Sequence, residues 1–150
     1  MSQKSLDIAQ RRFPGLATPT VYDGEAMPVA PGSVDLIFSA CVFHHIPAEQ
    51  HVRLFGELKA ALRPEGRMAI FEHNPVNPVT RYIVATCPFD ENAVLIPAQV
   101  LKSRQKEAGF AKVEVRYTAF FPRPLAALRS LERLMTALPL GAQYFTFARA

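Results

Sequence analysis

Three features of this 150-residue sequence predict an open α/β sheet with helices on its faces. Apolar runs of strand length alternate with stretches of helical periodicity. The first long run, VDLIFSACVF, is almost continuously apolar, as a strand buried on both faces would be. Proline, glycine or Asp-Gly marks most of the junctions between segments.

Taken in order, KSLDIAQRR reads as a short helix stopped by Pro14 and Gly15, and TPTVYDG as an extended piece closed by the turn dipeptide Asp23–Gly24. After the loop EAMPVAPGS comes VDLIFSACVF. Pro47 then opens AEQHVRLFGELKAAL, where Val52, Phe55, Leu58 and Leu62 recur at helical spacing. RMAIFEH is a second apolar strand. It leads into HNPVNPVTRYIVATCPFDENAVLIP, a proline-punctuated stretch longer than a connector requires. AQVLKSRQKEAGF is a helix ending at Gly109, AKVEVRYTAFF an alternating strand, PLAALRSLERLMTAL a Leu-rich helix, and AQYFTFARA a closing strand.

The length suits a single domain over residues 1–150. The net charge of +4 comes from scattered Lys and Arg without an aromatic-basic stripe, so no nucleic-acid partner is expected. Cys41 and Cys87 form neither a CxxC motif nor a disulfide framework. With no apolar run of membrane-spanning length and no secretory signature at the start, a cytoplasmic protein is expected. Arg129 and Arg133 on the polar side of the Leu-rich helix also suit a membrane surface, but such a stripe is more often core against a sheet.

Ligands of open α/β sheets bind beyond the carboxyl ends of the strands, which directs attention to YDGEA, SACVFHHI and EHNP. Read together, the run from Tyr22 to Pro75 resembles the second half of a class I S-adenosylmethionine-dependent methyltransferase. The likeness rests on an acidic residue after a strand, a Pro-containing loop, a D-L-I strand ending near histidine, and a helix followed by LRPEG, where the family usually has L-R/K-P-G-G. GAQYFTFARA is similar to that family's last, antiparallel strand. The resemblance implies a Rossmann-like sheet, S-adenosylmethionine as cofactor with S-adenosylhomocysteine as product, and a small-molecule or lipid/glycan-precursor acceptor.

The family's glycine-rich cofactor turn does not occur in these residues, and Ser2, Leu6 and Ala9 fit the helix after the family's second strand. The resemblance therefore implies that the first strand–helix–strand unit is absent, an N-terminal truncation. Its loss would leave VDLIFSACVF as an exposed apolar edge, favouring a homodimer unless the N-terminal segment folds back over it. A different class of function follows from the same omission: a non-catalytic remnant serving as a binding or dimerisation module.

The resemblance places the adenine-reading acid and backbone amide at Asp23, Gly24, Glu25 and Ala26, although Asp-Gly is also an ordinary turn. It places Ser39, Ala40 and Cys41 beside the sulfonium, where small residues permit close approach. His44 and His45 are the catalytic candidates, one facing the reaction pocket as general base or substrate-orienting group and the other packed beneath the helix. Glu72, His73, Asn74 and Arg81 are expected to face the acceptor, Arg81 suiting an anionic one. No metal site is expected: Cys41, His44, His45 and His51 match no usual zinc spacing, and consecutive strand residues point to opposite faces. His51, on the helix, is expected to be solvated.

Overall fold

The computed structural model describes all residues except Met1, Ser2, Ala17, Pro19 and 23–26, together with the side chain of Ser5. Its centre is a four-stranded sheet of β1 (Val34–Ala40), β2 (Leu62–His73), β3 (Lys112–Thr118) and β4 (Gln143–Arg149), in the order β1-β2-β4-β3. β1 runs parallel to β2, and β4 lies antiparallel between β2 and β3. The parallel pair needs a crossover, which α2 (His51–Ala61) supplies. The other helices are α1 (Gln3–Arg12), α3 (Pro78–Thr86), α4 (Ala98–Glu107) and the short α5 (Glu132–Met135).

One face of the sheet forms the core. Met68, Ile70, Val113, Tyr144 and Ala148 alternate inward along their strands and meet Phe55 and Leu54 from α2 and Leu101 from α4, with Phe110 just beyond α4. Phe43 stacks on Phe55 with ring centroids 4.5 Å apart, so the turn after β1 is anchored directly to this core. The Tyr144 hydroxyl donates to the Ile96 carbonyl at 2.8 Å, which satisfies the polar end of a fully buried ring.

Three expectations change. First, the apolar run at β1 is not buried on both faces: no residue of the strand is fully buried, and Leu36 and Phe38 are 59% and 64% exposed. The reason is position. Among the described residues β1 pairs with β2 alone and forms the edge of the sheet, as the resemblance anticipated.

Second, LRPEG is not a separate turn but a bulge at the start of β2. Val34 lies opposite Leu62 while Leu36 lies opposite Arg67, so the intervening β2 residues loop out. Glu65 takes a positive φ of 67° to make this possible. Third, PLAALRSLERLMTAL does not form one helix packed as core. It is a 3-10 segment, Arg123–Leu131, broken at Leu125, followed by α5, and it contains no buried residue. The break is at Leu125, whose backbone leaves helical geometry with φ −105° and ψ 23°. Among the described residues, no helix is long and apolar enough to cross a membrane.

Candidate functional site

The carboxyl ends of β1 and β2 lie side by side, with Ser39 opposite Ile70 and Ala40 opposite Phe71. Cys41 N–H donates to the Phe71 carbonyl at 2.9 Å, and Cys41 then turns the chain with a φ of 55°. This left-handed residue ends the strand and starts a 3-10 turn, Phe43–His45, in place of the strand continuation expected there. The consequence is chemical. The strand rule that would have sent His44 and His45 to opposite faces does not apply on a 3-10 turn, and both rings come to the same carboxylate.

That carboxylate is Asp90, in a single turn of 3-10 helix, Pro88–Asp90. His44 Nε2 lies 3.4 Å and His45 Nε2 3.5 Å from Asp90 Oδ1. His44 is buried, with its Nδ1 2.6 Å from Glu72 Oε2, while the His45 side chain is 41% exposed. Glu72 itself is fully buried. Its other oxygen accepts the backbone N–H groups of Val42 at 3.1 Å and Phe43 at 2.8 Å. A carboxylate at the end of β2 thus holds the histidine turn from beneath, by its backbone and by its ring.

The electrostatics follow this layout. The hydrogen bond to the Glu72 carboxylate raises the His44 pKa above its ordinary value, against the opposing effect of burial. Burial also works to raise the Asp90 carboxyl, but hydrogen bonds from Cys87 and His44 outweigh it and hold the group below the usual range. His73, 5.2 Å from His44 ring to ring, is lowered first by burial and then by the His44 charge. The Cys41 thiol is pushed up by burial and by the charges of Glu72 and Asp90, and its sulfur accepts from Gln143 at 3.7 Å.

Other predicted positions are placed differently from expectation. Glu72 does not face an acceptor, because it is buried with both oxygens engaged inside the protein. Asn74 is also buried: its amide donates to the carbonyls of Pro139 at 3.0 Å and Gly141 at 2.8 Å, and its oxygen accepts from Val76 N–H. It clamps the end of β2 to the approach of β4. His51 is buried rather than solvated, with Nε2–H donating to the Ile46 carbonyl and Nδ1 accepting from Arg104 at 2.8 Å. Asp23, Gly24, Glu25 and Ala26 lie outside the described residues.

Arg81 lies on α3 at the wall of an open cavity of about 840 Å³, which Tyr82, Cys87 and Asp90 also line. A smaller cavity of about 390 Å³ lies beside it, lined by His44, His45, His51 and Arg104. Asp90 and the histidine pair therefore stand where the two cavities adjoin. Sequence reasoning passed over Asp90 and Cys87. The available signal was the length of the proline-rich stretch between β2 and α4, which exceeds what a connection needs.

Comparison with known proteins agrees with this architecture. Residues 1–70 match the family described as Methyltransferase domain. The chain is 32% identical over 101 residues to an arsenite methyltransferase of Halobacterium salinarum, a match covering 59% of this chain and 23% of that protein. A SAM-dependent methyltransferase structure from Thermotoga maritima superposes with a TM-score of 0.74 at 17% identity, over 99% of this chain and 70% of that one. One from Mesorhizobium loti gives 0.65 at 22% identity, over 99% and 77%. The fold is that of a class I S-adenosylmethionine-dependent methyltransferase. In sequence the chain is similar to such proteins over the residues given, while spanning less than a quarter of the curated relative's length.

Proposed function

We propose that this chain takes part in S-adenosylmethionine-dependent methyl transfer to a small-molecule acceptor. The observation that carries the reading is that, beyond the ends of two parallel strands, the small residues Ser39–Cys41 lead into the turn of the anchored His44 and of His45, which line a 390 Å³ cavity, while Asp90, 3.4–3.5 Å from both rings, lines the 840 Å³ cavity. Ser39, Ala40 and Cys41 fit a cofactor wall: Ala40 is exposed, Ser39 and Cys41 half-buried, and no side chain among them would obstruct close approach. Asp23 to Ala26 would contribute the adenine side. When bound, the cofactor supplies an electrophilic methyl group on a sulfonium.

The chain's own residues then do the positioning. His45, the open member of the pair, holds the polar hydrogen of a hydroxyl, amine or thiol acceptor and takes its proton as the new bond forms. His44 and Glu72 keep the turn rigid beneath it, so that the acceptor is presented in one orientation. Arg81, on the cavity wall, suits an acceptor carrying an anionic group. A lipid or glycan precursor is among the acceptors this cavity would take.

A second reading draws on a specific observation, the exposed β1 edge with Leu36 and Phe38. It makes the chain a non-catalytic module that pairs with a second copy or another sheet. Calorimetric titration with S-adenosylhomocysteine separates the two. Saturable binding that weakens on replacing Ala40 with a bulky residue supports the methyltransferase reading. Absence of binding at millimolar ligand removes that reading for this chain and leaves the module.

A further inference from the structure

We infer that His44, His45 and Asp90 form a binding site for a divalent transition-metal ion such as Zn²⁺. Each offers one ligand atom, and the three atoms lie within 4.8 Å of one another. An ion about 2.1 Å from nitrogen and oxygen ligands in a tetrahedral site keeps them about 3.4 Å apart. The two separations from Asp90 Oδ1, 3.4 Å to His44 Nε2 and 3.5 Å to His45 Nε2, are already at that spacing. An ion could enter among these atoms with little movement of the backbone.

The decisive feature lies one layer behind. His44 donates Nδ1–H to the buried Glu72 carboxylate at 2.6 Å, which fixes the ring and directs Nε2 at Asp90, so that an ion entering there takes the place of the Nε2 proton. A carboxylate behind a histidine in this way is the arrangement that orients imidazole ligands and raises their basicity at metal centres. Glu72 is itself immobilised by the Val42 and Phe43 backbone donors, so the ring orientation is imposed before any ion arrives. Two imidazoles and one carboxylate suit the borderline first-row ions rather than Ca²⁺ or Mg²⁺, which prefer oxygen.

Three protein ligands leave a fourth position free, on the side where His45 is open and the two cavities adjoin. That position would take water, or an oxygen, nitrogen or sulfur donor of a molecule in the larger cavity. The inference is independent of methyl transfer, because it needs only these side chains and their support. With an ion present, the ion would bind the acceptor donor atom in place of the His45 lone pair.

The test is metal binding itself. The chain, stripped with chelator and dialysed, is titrated with Zn²⁺ by calorimetry and with Co²⁺ by visible absorption. One ion per chain is expected, with a Co²⁺ spectrum of nitrogen and oxygen ligation. His45→Ala and Asp90→Asn, at partly exposed positions whose folding is checked by circular dichroism, should abolish saturation. Glu72→Gln should weaken affinity by about 10-fold or more, the usual effect of losing such a supporting carboxylate. Absence of binding by the wild-type chain, unchanged affinity in either ligand variant, or a thiolate-to-cobalt band pointing to Cys41 or Cys87 would overturn the assignment.

Discussion

His44 and Glu72 meet at 2.6 Å inside the protein, with side chains 0% and 1% exposed. One residue comes from the turn after β1 and the other from the end of β2, so the contact ties the two parallel strands together at the site. Glu72→Ala removes the ring's partner and both backbone acceptor contacts at once, leaving Val42 and Phe43 N–H unpaired. Its expected cost is about 3–5 kcal/mol, the range for breaking a buried charged pair. Glu72→Gln keeps the shape and one acceptor oxygen and should cost about 1–3 kcal/mol. Urea denaturation of both variants and of the His44→Ala/Glu72→Ala double mutant checks this, and additivity in the double mutant would refute the coupling.

His51 provides a pH signature of its own. Burial lowers its pKa below the ordinary 6.5, the Ile46 carbonyl works the other way, and the Arg104 charge adds to the lowering. As pH falls below that ordinary value, the unfolded chain takes up a proton before the folded one does. The His51 contribution is therefore complete above 6.5 and is lost as pH falls through the folded value. His73 acts in the same direction. His44, whose pKa is raised, contributes at low pH and loses that contribution as pH rises through its folded value. The useful quantity is thus the difference between wild type and His51→Gln. The variant should be less stable by about 1 kcal/mol at neutral pH, and the gap should shrink on acidification. A gap that widens would contradict the assignment of His51 as a neutral buried ring.

Two glycines of similar appearance in the sequence should respond oppositely to alanine. A Cβ on Gly141 would lie 2.3 Å from the Thr118 carbonyl oxygen, where only a backbone shift between the end of β3 and the start of β4 could relieve it. Gly141 also supplies the carbonyl that accepts from Asn74, so the shift would be felt at the end of β2. Gly141→Ala is expected to destabilise by about 1–3 kcal/mol. Gly56, inside α2, has nothing within 4 Å of the same added atom. Gly56→Ala should stabilise by about 0.5–1 kcal/mol through helix propensity alone. Thermal melts of the pair would decide both.

The strand and helix order was legible because it rests on local pattern: VDLIFSA and QYFTFAR are apolar at strand length, and HVRLFGELKAA repeats at helical spacing. The edge position of β1 came from the family resemblance, since periodicity alone pointed to burial on both faces. The site was less legible because its key geometry comes from distant residues. Nothing near His44 announces that Glu72, 28 positions away, holds its ring, or that Asp90, 46 away, completes the cluster. The single positive φ at Cys41 converts a strand into a 3-10 turn and so brings adjacent histidines together. Cysteine has no preference for that conformation, so no local signal marked it. Asn74 shows the reverse case: a polar residue at a strand end suggested ligand contact, yet its partners are carbonyls 65 and 67 positions away.

The β1 edge yields the last prediction. Leu36 and Phe38 are exposed on a strand whose outer edge has no strand partner among the described residues, and Phe38 lies against Phe71, which stacks on Phe145 with centroids 4.8 Å apart. This aromatic row continues from the edge strand across β2 to β4, so an incoming strand or sheet would meet apolar surface as well as that outer edge. Charge on such an edge opposes pairing. Phe38→Lys should therefore lower self-association of the chain in sedimentation velocity. Stability should change little, because a side chain already 64% exposed contributes little burial. A matched replacement at exposed Phe89, which is remote from the edge in sequence and 89% exposed, should leave association unchanged. Equal effects at both positions would point to general surface hydrophobicity instead of edge pairing. A wild-type chain that sediments as a monomer at high concentration would show that the edge is closed to a second copy.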